Sequence, residues 1–465
     1  MKKALVIFLF LAVIFSFGAV YADTGSFIVK FSDGFVPPES LCLEVINGQH
    51  NLYLSKSDTF PAEIEKYIEY CEKNEEISFD EPLEKEAKLF AAPEDPKYAN
   101  QWQLQMINIQ AAFDYETYGN GIKVAVIDSG CSEHDDLKAN VLTGKNYFTN
   151  DTDVTDEHGH GTHVSGIIAA QINGIGICGA APKAKIIPLK CFQNGTTTTD
   201  KIVSGIYDAV DTFGCDIINM SFGLPNDNTA MYGAIKHAID KGVIVVAAVG
   251  NSGGSATYYP AGYDGVIGVA SVGQTKVRSN FSQHNSSVLV CAPGETVMST
   301  SNENGYVAMQ GTSQATPHVT ALAAIALSMD KSITPARFKE LIINSCEDLG
   351  TAGYDTSYGY GLVKAEKLID NILKDKTVYV SPVNSSDAGA YVYIENTSEE
   401  ALNALSLFAD FQDEVLTSKS IRSITLESGE GCVINMEGIS GNETRYFLWK
   451  DFVTLQPLFE KRTLE

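Results

Sequence analysis

Five short, almost uninterrupted apolar runs between residues 101 and 370 place the strongest constraint on the fold of this chain. Glycine or polar residues bound each run, and the segments between the runs have the apolar spacing of helices. Strands covered by helices on both faces of a parallel sheet have this appearance. We therefore expect an α/β fold with a parallel sheet between helices, whose strands include residues 124–127, 186–189, 217–220, 243–248 and 266–270.

Different patterns flank this central region. Residues 27–31 alternate like a strand and residues 61–71 have helical apolar spacing, so we expect a small α+β unit over residues 23–92. From residue 374 the helical pattern fades, and the strand candidates 378–380, 390–394, 405–411, 420–426 and 445–449 follow. This series predicts a β-sandwich-like domain over residues 374–465, which leaves 93–373 as the main α/β domain.

The first residues have the pattern of a secretion signal. Lys2 and Lys3 precede an uncharged apolar run, and Val20 and Ala22 place small residues before a cleavage site. Residues 1–22 therefore read as a signal peptide, with an uncleaved membrane anchor as the alternative. The later apolar stretch 319–329 is too short for a span, so we expect a secreted protein with no membrane span after signal removal.

Charge and cysteine spacing exclude some classes of function. The chain has 33 Lys and Arg against 58 Asp and Glu, a formal net charge of −25, so a nucleic acid is not expected as a partner. The nine cysteines form no C-x-x-C pair, which removes the usual zinc and redox motifs. Scattered cysteines in apolar strands are usually core residues, and disulfides in the main domain remain an alternative.

Two polar residues follow buried segments in the first half of the main domain. Asp128 ends the first apolar run, where a carboxylate suits a metal ligand, a ribose acceptor or a partner that orients an imidazole. His160 lies in Gly-His-Gly-Thr-His-Val-Ser-Gly at the start of an apolar helix. A zinc pair with His163, or two core histidines, are the alternatives, but a zinc helix would carry a His at i+4 and an adjacent Glu.

Two more polar residues occupy comparable places in the second half. Ser313 lies in Gly-Thr-Ser-Gln-Ala-Thr-Pro-His before a long Ala-rich helix, where a serine is most often a helix cap. Amides at that helix end also suit an oxyanion. Asn251 ends the run 243–248 and is either a turn residue or an amide donor aimed at developing negative charge.

The chain order Asp128, His160, Ser313 removes this ambiguity. Aspartate, then histidine, then serine is the order of subtilisin, and it differs from the orders in chymotrypsin and the α/β-hydrolases. With the Asp-Ser-Gly, His-Gly-Thr-His-Val-Ser-Gly and Gly-Thr-Ser-x-Ala-x-Pro motifs, residues 95–370 resemble the subtilisin-like serine proteases. The resemblance implies a seven-stranded parallel sheet and a serine endopeptidase, with Gln314 as a departure where the family usually carries Met.

The resemblance also implies a role for each of the four residues. Ser313 is the nucleophile, His160 the general base and then acid, and Asp128 the group that orients His160. Asn251 and the Ser313 backbone N–H form the oxyanion hole. The residues expected to contact substrate by this resemblance are one strand edge (Ser221, Phe222, Gly223), an opposing edge (Phe192, Gly195) and a pocket wall with Ser252 and, near the floor of a shallow pocket, Tyr258. A plain edge strand and loop are the alternative for these segments.

Calcium is implied in the same way. In relatives, a loop after the histidine helix binds Ca²⁺ through carbonyl, Asn and Asp oxygens. Here the side chains would come from Asp136, Asn173 and Asp95, and the backbone carbonyls from Gln171, Ile175 and Ile177. A glycine-punctuated turn explains the loop equally well.

The N-terminal unit, residues 23–92, resembles the family's propeptide, which assists folding and then inhibits the enzyme until it is removed. We expect autocleavage within residues 89–92 and a monomeric enzyme acting on peptide and protein substrates. A permanent N-terminal domain is the alternative for this unit. Two other functions remain open for the whole chain: a peptide ligase or macrocyclase on the same fold, and a catalytically inert binding or adhesion protein.

Overall fold

The structure is a computed structural model, and it describes residues 23–32, 35–47, 52–75, 93–374, 376, 378–381, 384–386, 389–398, 400–412, 415–436, 443–449 and 462–463. The expected signal peptide, residues 1–22, and the expected cleavage segment, residues 89–92, lie outside these ranges. The chain divides into two compact units, residues 1–85 and 86–465.

The first unit is a four-stranded antiparallel sheet in the order β2-β3-β1-β4. Val29, Phe31 and Ile64 form its buried core. The helix expected over 61–71 is wrong in its second half, because Cys71 pairs with Val29 as part of a strand. The elements are β1 Asp23–Phe31, a 3₁₀ turn Glu39–Leu41, β2 Glu44–Asn47, β3 Leu52–Ser55, α1 Ala62–Glu65 and β4 Ile68–Glu75.

A nine-stranded sheet in the order β14-β15-β11-β10-β9-β8-β5-β7-β6 forms the centre of the second unit. Its strand pairs are parallel except β14 with β15, which confirms the α/β fold. The count exceeds the expected seven because two-residue strands extend both edges. The strands are β5 Lys123–Asp128, β6 Lys145–Asn146, β7 Lys185–Lys190, β8 Ile217–Met220, β9 Ile244–Ala248, β10 Ile267–Val272, β11 Val290–Pro293, β14 Cys346–Glu347 and β15 Leu362–Val363.

Helices cover this sheet, and the longest of them, α7, is buried along its whole length. Burial on all sides explains why its sequence is Ala-rich and apolar all round rather than amphipathic. The helices are α2 Trp102–Met106, α3 Gln110–Asp114, α4 His160–Ala169, α5 Thr199–Tyr207, α6 Thr229–Asp240, α7 Thr312–Met329, α8 Pro335–Asn344 and α9 Ala365–Leu373, with a 3₁₀ turn Tyr98–Asn100 and a π-helical turn Asp208–Thr212.

A hairpin of β12 Val297–Thr300 and β13 Tyr306–Met309 packs against α4. The Ser299 and Thr300 hydroxyls donate to the carbonyls of His163 and Thr162, at 2.7 and 2.8 Å. Because α4 begins at His160, the hairpin helps to fix the position of that histidine.

The C-terminal part of this unit consists of two four-stranded antiparallel sheets around one apolar core, which includes Val392, Phe408, Ile434 and Tyr446. Each of the five strands predicted in this part coincides with a strand of the structure or lies within a longer one. Strands β17, β21 and β23 were not predicted. The strands are β16 Val378–Val380, β17 Asn384–Ser386, β18 Gly389–Asn396, β19 Leu402–Gln412, β20 Val415–Leu426, β21 Gly431–Met436, β22 Glu443–Trp449 and β23 Arg462–Thr463.

All nine cysteines fall in the described ranges, and all of them are free thiols. Within the same ranges, the structure contains no helix that is both long and apolar enough to cross a membrane.

Candidate active site

Asp128 is the last residue of β5, and its carboxylate is nearly buried. Its Oδ1 accepts hydrogen bonds from the Ser129 N–H at 2.7 Å and the Ser129 hydroxyl at 3.2 Å. The carboxylate is therefore held in one orientation at the carboxyl edge of the sheet, where α/β proteins place ligand-binding groups.

His160 is the first residue of α4, and its Nδ1 lies 2.8 and 3.0 Å from the two carboxylate oxygens of Asp128. Gly161 makes this approach possible. A Cβ atom at Gly161 would lie 2.2 Å from the Gly130 carbonyl oxygen and 3.1 Å from Asp128 Cβ, so a larger residue would push the helix away from the strand.

The two side chains are also coupled electrostatically. Burial alone would lower the pKa of His160, but the charge of Asp128 and its hydrogen bond outweigh burial and raise that pKa above its ordinary value. An imidazole in this setting has a stabilised cation, as a group that accepts a proton during catalysis requires.

Asp156 anchors the start of α4, a role that sequence analysis missed. Its carboxylate accepts hydrogen bonds from the backbone N–H groups of His158, Gly159 and Thr162 at 3.1, 2.8 and 2.9 Å, and from the Thr162 hydroxyl at 2.7 Å. These amides have no acceptor within the helix, so Asp156 satisfies them and favours the helix start at His160.

Ser313 is the second residue of α7, where its backbone N–H has no acceptor within the helix. Its carbonyl accepts a hydrogen bond from the Ser221 hydroxyl at 2.9 Å, and Asn219 Nδ2 donates to that hydroxyl, also at 2.9 Å. The buried Ser221 side chain therefore ties the end of β8 to the first turn of α7.

Asn251 lies beside the same turn. Its Oδ1 accepts hydrogen bonds from the Thr312 N–H and the Thr312 hydroxyl, both at 2.8 Å. Because the amide oxygen already accepts two hydrogen bonds from Thr312, the NH₂ group is the part of the Asn251 side chain that can donate to a ligand.

His160, Asn251 and Ser313 line one cavity of about 500 Å³. No hydrogen bond joins Ser313 Oγ to the His160 imidazole among the described residues, and such bonds often form only when substrate binds. The rest of the cavity wall comes from the β12–β13 hairpin, from residues next to its strands and from α7, and apart from Gln314 no motif marked these residues. The other lining residues are Thr296, Ala308, Met309, Gln310 and Gln314.

The segments expected to contact substrate lie around this site. The rings of Phe192 and Phe222 pack with centroids 5.0 Å apart, which brings the two expected edges together. Gly195 is in the left-handed region at φ 75°, and a Cβ there would lie 3.7 Å from the ring of His158. The hydroxyls of Ser252 and Tyr258 are 2.7 Å apart.

The loop after α4 surrounds two buried carboxylates. Asp95 Oδ1 accepts from the N–H groups of Asn173 and Gly174, both at 3.0 Å. Asp136 Oδ2 accepts from the Ile177 N–H at 2.9 Å and the Tyr306 hydroxyl at 3.0 Å. Burial, partly offset by these bonds, raises the pKa of both carboxyl groups.

Two carboxylate oxygens in this loop lack a partner. Asp95 Oδ2 and Asp136 Oδ1 are buried without a hydrogen bond. A buried carboxylate oxygen is unfavourable without a donor or a cation, so this oxygen-rich setting fits Ca²⁺. Within the described ranges no three His, Cys, Asp or Glu residues group to hold a metal, so any ion here would need backbone or amide oxygens as well.

An aspartate, a histidine and a serine at the carboxyl edge of an α/β sheet are groups that serine hydrolases use. Residues 119–361 match the model of the subtilase family, Peptidase_S8. The chain is 39% identical over 254 residues to subtilisin DY of Bacillus licheniformis, which is 53% of this chain and 90% of that protein. The chain therefore belongs to the subtilase family.

Other relatives agree with this assignment. The chain is 39% identical over 266 residues to the minor extracellular protease Epr of Bacillus subtilis (strain 168), which is 57% of this chain but only 41% of Epr. Among solved structures, a protease of Pseudoalteromonas arctica superposes with a TM-score of 0.57 at 30% identity, covering 61% of this chain and all of that one.

Proposed function

We propose that this chain is a secreted endopeptidase that hydrolyses peptide bonds with Ser313, His160 and Asp128. The observation that carries the proposal is the convergence of His160, already paired with Asp128, with Ser313 and Asn251 on one cavity. The extracellular relative Epr and the apolar N-terminus support secretion.

The chemistry follows from the positions of the donors and acceptors. Ser313 Oγ attacks the scissile carbonyl while His160 Nε2 takes its proton and later gives it to the leaving amine. Asp128 accepts from His160 Nδ1–H and stabilises the imidazolium. The Asn251 amide and the Ser313 backbone N–H donate to the oxyanion, and water then releases the acyl group by the same steps.

A fluorophosphonate probe tests the nucleophile directly. We expect it to label Ser313 in the wild-type protein, as mapped by mass spectrometry of the labelled peptide. Ser313→Ala should remove both labelling and peptide hydrolysis. Labelling elsewhere, or hydrolysis that persists in Ser313→Ala, would contradict the assignment.

We further propose that the loop after α4 binds a structural Ca²⁺. Asp95, Asp136 and Asn173 would supply side-chain oxygens, and Gln171, Ile175 and Ile177 would supply backbone carbonyls. The ion would join the loop to residues 95 and 136 and neutralise the two buried carboxylates, so its effect is on stability and not on a chemical step.

Calcium removal tests this second proposal. An ion that binds only the folded protein at 100 times its dissociation constant stabilises it by about 2.7 kcal/mol, so a chelator should lower the thermal midpoint. Asp136→Asn should abolish most of that response, whereas Asp240→Asn, an exposed residue paired with Lys236, should retain it. Equal midpoints with chelator and with millimolar Ca²⁺ would contradict the site.

We also propose that residues 23–92 are a propeptide. Parallel sheets fold slowly because their contacts are distant in sequence, and a detachable folding aid offsets this. N-terminal sequencing should show that the secreted enzyme begins after residue 89, 90 or 91, and Ser313→Ala should remain unprocessed. A mature protein that begins near Asp23 would contradict removal.

A further inference from the structure

A narrow slot lies beside Ser313, between the ends of two neighbouring strands. β8 and β9 pair in parallel, so residues 221–223 and 249–251 leave the sheet at the same edge. Ser221 is bonded to the Ser313 carbonyl, and Asn251 is bonded to Thr312. The slot therefore opens directly at the nucleophile.

The proposed chemistry fixes which part of a substrate meets this slot. The leaving amine must face His160, because it receives its proton there. The carbonyl oxygen must face Asn251. The residue that supplies the scissile carbonyl then extends away from His160, towards residues 221–223 and 249–251, and its side chain meets the slot between those segments.

Tyr258 fills this slot with its ring. A Cβ atom added to Gly223 would lie 3.1 Å from Tyr258 Cβ and 3.3 Å from Cδ1. A Cβ atom added to Gly250 would lie 3.1 Å from Tyr258 Cγ and 3.2 Å from Cδ2. The two edges of the ring thus contact the bare backbone of the two segments, and Gly250, at φ 106°, occupies a conformation that favours glycine.

Two contacts hold the ring in place. The neighbouring residue Tyr259 exchanges backbone hydrogen bonds with Leu224, N–H to O at 2.8 and 2.7 Å, which fixes the chain beside Gly223. At the other end of the side chain, the Tyr258 hydroxyl is 2.7 Å from Ser252 Oγ. A large side chain could enter the slot only by breaking that hydrogen bond and rotating the ring out.

We propose that Tyr258 closes the pocket for the residue on the carbonyl side of the scissile bond, so that the enzyme cleaves after small residues such as Gly, Ala and Ser. This rests on the proposed peptidase function. In this role Tyr258 determines specificity by occupying volume, and Ser252 positions it.

The test compares peptides that differ only in the residue before the scissile bond, Ala or Phe. Adding or removing a methylene in an apolar pocket changes kcat/KM by about 10–200-fold, so we expect wild type to favour Ala over Phe by at least about 10-fold. Tyr258→Ala should raise kcat/KM for the Phe peptide by about 10-fold or more and so reduce or reverse the preference for Ala. Tyr258→Phe retains the ring and should retain the preference for Ala.

A matched control variant shows whether a change in the Ala-to-Phe ratio of kcat/KM is specific to Tyr258. Tyr232→Ala removes a tyrosine from α6 that is 40% exposed and lies outside the slot, so it should leave the Ala-to-Phe ratio unchanged. Wild-type preference for Phe, or an unchanged ratio in Tyr258→Ala, overturns the inference even if all variants are active. If Tyr258→Ala does not fold, inhibition of the wild type by peptide boronic acids is measured instead. Stronger inhibition by the peptide that ends in Ala is the expected result, and stronger inhibition by the peptide that ends in Phe overturns the inference. Absence of hydrolysis of either peptide by wild type overturns the proposed function instead.

Discussion

At the scale of single residues, the groups nearest the proposed chemistry are oriented by partners that take no part in it. Thr312 donates two hydrogen bonds to the amide oxygen of Asn251. Ser129 likewise donates to the carboxylate of Asp128. Because these groups are already oriented, the site needs little reorganisation when charge develops in the transition state. This preorganisation is the main source of electrostatic catalysis.

Replacing Asn251 by Ala should reduce kcat by about 10²–10³-fold with KM little changed, a magnitude taken from subtilisin itself. In the proposed mechanism, the Asn251 amide donates only once the oxyanion forms, so its loss should affect the transition state more than substrate binding. Steady-state kinetics at fixed pH measure this effect. As a control, Asn228→Ala removes the residue that caps α6 and should lower the thermal midpoint without lowering kcat. A reduced kcat/KM that comes from KM alone would contradict the oxyanion role.

Replacing Asp128 by Asn should lower kcat by about 10⁴-fold, the loss seen when a triad aspartate becomes an amide. The pH dependence of kcat/KM provides a second test of this role. In the proposed mechanism, activity requires neutral His160, so kcat/KM should fall as pH drops through the pKa of His160, which Asp128 raises. Without that charge, the acid limb of the residual activity should move to lower pH. A residual profile with an unmoved acid limb would show that Asp128 does not act through His160.

At the scale of secondary structure elements, the central parallel strands could be predicted from sequence, because burial on both faces leaves an unbroken apolar run in each strand. Their order in the sheet could not, because it depends on which strands pair after folding. The helix expected over 61–71 failed because Ile68 and Cys71 suit a half-buried strand as well as a helix, and pairing with β1 decides between them. The motifs predicted Asp128, His160, Asn251 and Ser313 as site residues. They did not identify Thr312 as the partner of Asn251 or Tyr306 as the partner of Asp136, because those contacts span 61 and 170 residues and exist only after folding.

Helices α4 and α7 bury two histidines that should make the enzyme sensitive to acid. His163 donates from Nε2 to the Val297 and Val307 carbonyls, and His318 donates from Nδ1 to the Gln314 carbonyl. Burial lowers the pKa of each to about 4. The unfolded chain takes up these protons near its ordinary pKa of about 6.5, so stability falls as pH drops from there towards 4.

The expected slope is about 1.4 kcal/mol per pH unit for each histidine within that window. Thermal midpoints or urea unfolding of Ser313→Ala, which avoids self-digestion, measure it between pH 7 and 4. His318→Asn should remove about half of the slope that the pair contributes, whereas His237→Asn, at the surface beside Asp211, should leave it intact. Stability that does not change with pH across this window would contradict the assignment of the two buried imidazoles as neutral.

At the scale of the whole molecule, the C-terminal sheets are joined to the α/β part by tyrosines and carboxylates. Tyr115 lies against Tyr379 and Tyr393, with ring centroids 5.5 and 6.0 Å apart. Glu395 accepts from the hydroxyls of Tyr115 at 3.3 Å and Tyr393 at 2.7 Å. The sequence could not predict this joint, because its partners are about 270 residues apart and belong to separate apolar patterns.

The Glu116–Tyr391 hydrogen bond gives the sharpest test of that joint. The Tyr391 hydroxyl donates to Glu116 Oε2 at 3.0 Å, and burial of Glu116 raises the pKa of its carboxyl group. Tyr391→Phe removes a donor from a buried acceptor and should lower the free energy of unfolding by about 1–3 kcal/mol. In a double-mutant cycle with Glu116→Gln, the two losses should be less than additive. Catalytic constants should not change, because neither Glu116 nor Tyr391 lines the cavity at Ser313. Tyr354→Phe, an exposed tyrosine, is the matched control.

Calorimetry should show the α/β part and the C-terminal sheets unfolding in one transition, and the midpoint of that transition should be lower in Tyr391→Phe. Two separate transitions in wild type, with only the smaller one shifted by Tyr391→Phe, would show that the C-terminal sheets do not stabilise the enzyme.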